Sequence, residues 1–433
     1  MAVTVDQAKL VLNSFAAIFQ NNLISKDLVT WKKFDGEMND RNALTVVEQV
    51  GPRFITTRSS SAVQDLSSGV QDMVYGSEQY KLTEVWGSSM GVGDFNKIRD
   101  IGEARDSEAL KNAALNLAET IDAYILGYAT LASNNWVGTA GNAIDSFDDV
   151  AAGYTRLKEE GCEDADLKAV LTYGDKQALG SSIVTNNASL ADLGAGTYRQ
   201  GFSGQVAGFD TMFTQQLPTL TTGTRTNGAV NGGAQGSNYA SVAISPAPGQ
   251  HMTQILAADG FGAGGTIKDG EVFTIANVFA YDNRLKASLG RLQEFRVIGD
   301  YTADGTGAVV GGIRIFPAII VPAAGTTGNN AVNSANATVT AVPADNAVIT
   351  WKAAASTAVK PRLLMNKSAV ICNTADLVMP STGTAMRKSL TKVPLSVRMW
   401  KDSVFATGEH RVRFDVAINA NVVDRRRIVR ING

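Results

Sequence analysis

Few residues in this 433-residue chain have the types that covalent or metal chemistry needs. Its histidines are His251 and His410, and its cysteines are Cys162 and Cys372. A zinc site gathers Cys, His or carboxylate ligands at short, recurring spacings, and these four residues show none. Gly87-Ser-Ser89-Met-Gly91 matches the G-x-S-x-G nucleophile elbow, which needs a following helix and a histidine base. Neither histidine lies in a suitable loop context, so the motif reads as a turn after the strand ending at Trp86. Gly260-Phe-Gly262-Ala-Gly264-Gly265 has the glycine density of a phosphate loop. It follows no clear strand, opens no helix and lacks the Lys-Ser/Thr of a P-loop, so a flexible turn accounts for it. Glu163-Asp164-Ala-Asp166 lacks the glycine and terminal glutamate of a calcium loop. The acidic pairs Asp148-Asp149 and Glu159-Glu160 read as solvated faces. The expectation is no enzyme, no catalytic residue, no cofactor and no metal.

Two clusters remain as candidates for contact. Arg425-Arg426-Arg427, with Arg430 and beside Asp424, is the densest basic run. It reads either as an exposed C-terminal strand edge or as an intersubunit salt-bridge patch or nucleic-acid contact. Arg58-Ser59-Ser60-Ser61 looks like the tip of a projecting loop. A dedicated nucleic-acid binder carries a basic excess, yet net charge here is −2. Two cysteines fit a reducing compartment better than a disulfide-stapled secreted protein. Residues 1–7 have no basic start and no apolar run, so no signal peptide is expected. No window approaches the length of apolar residues that a membrane span requires.

The surrounding elements follow from periodicity. Residues 5–24 place Ala8, Val11, Leu12, Phe15, Ile18, Phe19 and Leu23 on one helical face, either as an ordinary packed helix or as an arm docked on a neighbour. Residues 43–57 and 67–86 read as extended, with Tyr80, Leu82, Val85 and Trp86 marking one long strand. A two-stranded ribbon of this kind is marginal alone and needs a partner chain. Residues 106–132 form the clearest helix, with Leu110, Ala114, Leu117, Ile121, Tyr124, Ile125 and Tyr128 as its stripe. Asp106 or Ser107 caps it, and Glu108 suits its positive end. Residues 149–160 and 175–182 read as helices and 167–173 as a buried strand. At Gly223 the composition turns to Gly, Ala, Thr and Asn until about 355. Short strands are expected there at 271–278, 294–298, 308–320, 337–342 and 347–351, with helical periodicity only around 283–292. These suggest an inserted β domain over 224–362, a small sandwich or barrel. Strands at 368–379, 396–400 and 412–418 should return to the first core.

Several islands, in order, resemble one family. They are Val47-Glu48-Gln49, the 78–86 strand, Gln205-Val-Ala-Gly-Phe-Asp210 with Leu217-Pro218-Thr-Leu220-Thr221, Lys268-Asp-Gly-Glu-Val-Phe-Thr274, the 368–380 strand and Phe405-Ala-Thr407. Together they resemble the major capsid (coat) proteins of short-tailed Salmonella-type phages, a branch of the tailed-phage capsid fold with an inserted β domain. The resemblance implies an α+β chain divided as an N-terminal helical arm (1–34), an extended loop and ribbon (35–86), a peripheral domain with the spine helix (87–147), an axial domain (148–223), the β-barrel-like insertion (224–362) and a return to the core (363–433). It implies hexamers and pentamers that self-assemble into an icosahedral shell around double-stranded DNA. Scaffolding protein, a portal protein at one vertex and DNA held without sequence specificity would be the partners, with no membrane. Assembly would take place in the bacterial host cytoplasm. Arg58, Ser59, Ser60, Ser61, Arg425, Arg426 and Arg427 are the candidate intersubunit contacts. The insertion is richer in Gly and Ala than the family pattern and the C-terminus more basic. The competing reading is a β-rich surface or tail-fibre-like adhesive protein, which would predict a signal peptide or repeats. A hydrolase built on Ser89 is the third.

Overall fold

A computed structural model describes residues 5–38, 44–54, 72–91, 108–186, 205–244, 247, 249–283, 285–323, 328–403 and 410–432. They mix helices and strands, as the α+β expectation requires. The chain falls into two units: Met1–Val46, Tyr80–Tyr128 and Lys367–Val423 in one, and Val47–Gln79, Ala129–Asn366 and Asp424–Gly433 in the other.

The first unit is organised by the strand His410–Val422. It pairs with Val370–Leu377, with Ser396–Ser403 and with Val85–Gly91. Thr30–Met38 joins Val370–Leu377 in parallel, and Thr384–Ser389 closes the other edge. At the start of His410–Val422, buried Val412 and Phe414 alternate with exposed Arg411 and Arg413, the period-two pattern of one covered face; from Asp415 to Ile418 both faces are buried. The helix Val5–Asn22 lies on that covered face, with the rings of Phe15 and Phe414 stacked 3.9 Å apart. Ala8, Val11, Leu12, Phe15 and Phe19 are buried. The stripe is therefore used within its own unit, as the packed-helix reading expects.

The helix Glu108–Ala132 buries Leu110, Ala114, Leu117, Ile121 and Ile125 at the predicted spacing, with Tyr124 half-buried. Each such side chain removed from water contributes about 1.5–3 kcal/mol. The same face carries the buried Asp122, which accepts the backbone N–H groups of Ile24 and Ser25, each at 2.9 Å. Those donors open the short helix Ser25–Leu28 and would otherwise lack partners. The caps expected at Asp106 and Ser107 lie outside the described residues, as does the Phe405-Ala-Thr407 island.

Two expectations need correction in this unit. The long strand expected through Tyr80–Trp86 is two strands, Gly76–Leu82 and Val85–Gly91. Gly87–Gly91 is not a turn but part of the second, opposite Asp415–Arg411. Gly87 is required there because the Asp415 carboxylate occupies the space a Cβ would fill. The chain also forms the strand Thr384–Ser389, which its polar, exposed residues do not announce.

The second unit has a base sheet ordered Asn135–Val137, Ile428–Ile431, Arg362–Asn366, Leu167–Leu171, Phe209–Phe213 and Gln205–Val206. The helix Phe147–Glu159 begins with a capping box between Ser146 and Asp149. Leu220–Thr221 pairs with Ala358–Val359, so the chain leaves the base and returns to it through one two-stranded stem. Between them lies a five-stranded antiparallel sheet: Gln254–Leu256, Ile313–Phe316, Ala287–Val297, Val272–Asp282 and Ile349–Trp351. Its core includes Phe261, Phe273, Phe295, Ile313 and Ile349. The helical periodicity around 283–292 is overruled by a hairpin, in which Phe273 faces Phe295 and Phe279 faces Leu292. The apolar stripe that suggested a helix has no core to join: Leu285 is 77% exposed. Residues 328–335 form an unexpected helix, and 337–342 contribute an isolated bridge at Val339 rather than a strand.

Candidate functional site: the arginine clusters

The C-terminal arginines do not form an exposed edge. Asp424 caps the turn Arg425–Arg427, accepting from the backbone N–H of Arg426 at 3.2 Å. Arg425 is buried. Its guanidinium donates to Gly249 O at 2.6 Å and to His251 O at 3.4 Å, and its centre lies 4.8 Å from the Phe316 ring centre. Glu78, also buried, accepts from Gly249 N–H at 2.9 Å and stands 3.9 Å from Arg425. Burial pushes the Glu78 carboxyl up against the pull of Arg425. His251 Nδ1 meets Ala243 O at 2.7 Å and donates there, since a carbonyl can only accept, and burial pushes the ring's pKa down. Ser77 N–H donates to the same carbonyl at 2.9 Å. Arg425 thus serves the root of the strand Gly76–Leu82, which pairs with Leu44–Val50 as the expected ribbon.

Arg426 and Arg427 are partly exposed and share Asp424, at 3.0 and 3.3 Å. Burial alone would raise the Asp424 carboxyl. The charges of Arg426, Arg427 and Arg53 outweigh it and bring it to about 2. Arg53, in turn, is pushed down to about 10, chiefly by the Arg426 charge. Arg58, Ser59, Ser60 and Ser61 lie outside the described residues.

Arg430 does something else. It is 0% exposed, in the strand Ile428–Ile431. Its fork donates to Gly270 O at 2.6 Å, to Leu131 O at 3.3 Å and to Ser133 O. Arg296 also donates to Leu131 O. The Leu131 and Ser133 carbonyls end the helix Glu108–Ala132, whose last turn has no basic residue of its own. Two distant arginines therefore supply the cations that the negative end of a helix favours. Burial, and then Arg296, push the Arg430 guanidinium down to about 9.

The five-stranded sheet is joined to the base by a buried ionic seam. Glu294, 1% exposed, accepts from Trp136 N–H at 2.8 Å, Lys352 at 2.9 Å and Arg156 at 3.4 Å. Arg291 pairs with Glu159 at 2.7 Å and Glu160 at 2.9 Å. At the stem, Glu271 binds Arg225 at 2.5 Å and accepts from Lys268 N–H at 3.0 Å. Arg225 lies 3.9 Å over the Trp351 ring. Sequence reasoning missed this seam. The available signal is the placing of Glu294 and Arg296 on either side of the buried Phe295.

The other chemical candidates have structural roles. Ser89 lies within a strand opposite Arg413, not on a strand-to-helix turn. Cys162 and Cys372 are free and buried, and burial pushes both thiols up. Gly260–Gly265 runs between the short strands Ala258–Asp259 and Thr266–Ile267, with Phe261 buried between glycines of positive φ. Asp164 accepts from Tyr154 Oη at 2.7 Å and pairs with Lys158. Among the described residues, no group of His, Cys, Asp or Glu could hold a metal ion, and no helix is long and apolar enough to cross a membrane.

A family profile described as P22 coat protein, gene protein 5, matches residues 59–428. A structure from Mycobacterium phage Che8 overlaps 90% of this chain and 84% of its own, at 10% identity and a TM-score of 0.41. The capsid structure of the Cyanophage P-SCSP1u overlaps 94% of this chain and 87% of its own, at 10% identity and a TM-score of 0.42. The CUS-3 coat protein I-domain is 24% identical over 29% of this chain and 94% of its own, with a TM-score of 0.20. No curated protein matches.

Proposed function

This chain belongs to the P22 coat protein family and is a phage major capsid protein whose copies build an icosahedral shell; we propose that they do so as hexamers and pentamers enclosing double-stranded DNA. The family match carries the reading. The family is structural rather than enzymatic, and the adhesive alternative is not favoured. Closed rings arise from heterologous contacts, in which one face of a subunit meets a different face of the next. Scaffolding protein during assembly in the host cytoplasm and a portal protein at one vertex complete the scheme. A net charge of −2 suits a wall that encloses DNA without gripping it.

The ribbon is our candidate for a contact between copies. Near its two strands, Val47, Phe54, Met73 and Tyr75 are all at least 50% exposed. Apolar side chains gathered in the open favour a partner surface. Arg58, Ser59, Ser60 and Ser61 belong to the same stretch of chain, and Arg426 and Arg427 offer cations beside its root. Arg425 acts from behind them. We assign residues 224–362 to an inserted β domain, supported by the stem and by a core drawn from residues 230–351. The unit holding the long helix corresponds to a peripheral domain, and the base sheet to an axial one.

Sedimentation and electron microscopy of the protein, expressed with and without its scaffolding protein, test the scheme. Closed shells with scaffold are expected. Soluble monomer or open sheets under both conditions would overturn it.

A further inference from the structure

We propose that Glu78 and Arg425 are a positioning pair that clasps the root of the Gly76–Leu82 strand and so fixes the course of the ribbon for shell assembly. The assembly half of this rests on the ribbon being an intersubunit contact. The clasp itself does not.

Gly249 is held from both of its backbone groups. Its N–H donates to Glu78 at 2.9 Å and its carbonyl accepts from Arg425 at 2.6 Å. It sits at φ 74°, where only glycine is unstrained. The peptide is thus fixed in a conformation that offers its two groups to two oppositely charged side chains. Arg425 spans two carbonyls, Gly249 O and His251 O, with separate nitrogens of its fork. A lysine ammonium has no such geometry. The Phe316 ring backs the guanidinium, and Asp424 fixes the turn that presents it.

The strand is also pressed close to the segment it is clasped to. A Cβ at Gly76 would lie 2.7 Å from His251 Cε1 and 3.2 Å from Ala243 O. Ser77 pairs in parallel with Ile244. This backbone attachment is short, a single bridge, and could pivot. The Glu78–Gly249–Arg425 clasp is the second point that removes the pivot. A pair of charged residues buried only to fill space would be replaceable by apolar residues of similar size at little cost. A positioning pair would not be, because its directional bonds are what it contributes.

The test uses the full-length subunit. Limited trypsin digestion of unassembled protein reads opening of the ribbon as cleavage after Arg53, which is exposed. Glu78→Gln and Arg425→Met should each speed that cleavage roughly tenfold, the scale of one lost charged hydrogen bond. Cleavage elsewhere and the main thermal transition should stay close to the parent. In the double variant the second substitution should add little, since the two act as one unit. Arg425→Lys should not rescue. Parent-like cleavage after Arg53 in the single variants would overturn the clasp, as would a general rise in cleavage across the chain. Shell yield is scored separately. A variant with residues 55–66 deleted that still builds normal shells would refute the ribbon's assembly role while leaving the digestion result to judge the clasp. If that deletion abolishes shells, the clasp variants should give fewer closed particles and more aberrant ones; normal particles would overturn the positioning role.

Discussion

Along the helix Glu108–Ala132 the buried face is mostly hydrocarbon, from Leu110 through Ala129, with Asp122 and Thr130 as polar exceptions. Along the strand Ala287–Val297, by contrast, Glu294 and Arg296 are as deeply buried as Phe295. Hydrocarbon contacts are non-directional, so the placing of that helix falls to its few polar bonds, those of Asp122 to Ile24 and Ser25 and those of Arg296 and Arg430 to Leu131 O. The strand cannot slide, because Glu294 has three donors at fixed positions and Arg296 is bound to one helix-end carbonyl. Within the second unit, then, the strands of the five-stranded sheet are placed by ionic geometry and stabilised by their own apolar core. The two requirements are met by different residues.

That contrast can be broken. Removing one member of a buried ionic set should cost most. Glu294→Ala strands Arg156, Lys352 and the Trp136 N–H, and should lower stability by about 3–5 kcal/mol in denaturant melts of the free subunit. Leu117→Ala or Ile121→Ala should cost about 2–5 kcal/mol, depending on how far the helix face collapses onto the space left. Parent-like melts would refute the assigned stripe. Arg430→Met sharpens the comparison. Arg430 hydrogen-bonds backbone carbonyls, and Asp269 and Glu294 act on it only by charge, so its loss should cost about 1–3 kcal/mol. A cost equal to that of Glu294→Ala would mean that Arg430 also carries ionic weight.

Acid should act on the carboxylates before it affects the hydrocarbon. Burial pushes Asp175 up, but the Arg362 fork at 2.6 and 2.8 Å and the Thr172 donors outweigh it and hold it below its usual range. Asp424 sits at about 2 against an ordinary 3.8. Both are depressed in the folded state. Their stabilisation is therefore complete above the ordinary value and fades as pH falls through the folded one. Chemical melts should lose stability between about pH 4 and pH 2, and Asp424→Asn should flatten part of that slope. The smallest effect concerns the five-stranded sheet alone. A fragment of residues 224–362 keeps its core cluster and the Arg225–Glu271 pair and loses the bonds to Trp136, Arg156, Glu159 and Glu160 and the Leu220–Thr221 stem strand, so it should give a β-type circular dichroism spectrum and a cooperative melt. A disordered spectrum would mean the seam is needed for folding, not only for placement.

The helices were legible because their signals are local. Residues 5–24 and 106–132 were predicted, and Val5–Asn22 and Glu108–Ala132 are observed. The strand Leu167–Leu171 was legible for the same reason, as a compact apolar run between polar flanks. The helix Gly328–Ala335 was not, since Gly-Asn-Asn and Asn-Ser are poor helix formers and tertiary contacts hold it: burial of Ala331 and Val332 and the bonds of Asn333 to Asn238 and Tyr239 and of Ser334 to Ala323. The hairpin was misread because Leu285, Leu289 and Leu292 fall at helical spacing, while the cross-strand partners that decide the matter are encoded elsewhere. The arginine clusters were located but not understood. A run of Arg reads as surface, and Arg430 is buried through carbonyls 160 and 297 positions away. No local pattern reports such a partner.

The strand Ile428–Ile431 lies inside the base sheet, between Asn135–Val137 and Arg362–Asn366, and Ser133 Oγ reaches Ile428 O across 295 positions of sequence. On a ribosome, Asn135–Val137 must therefore wait for its neighbour. At about 5–20 residues per second the wait is roughly 15 seconds to a minute. For that interval the nascent chain carries Asn135–Val137 without its sheet neighbour and a helix end without Arg430. Premature pairing with another nascent copy is the hazard this order of synthesis creates, and a cell making many copies at once would meet it often.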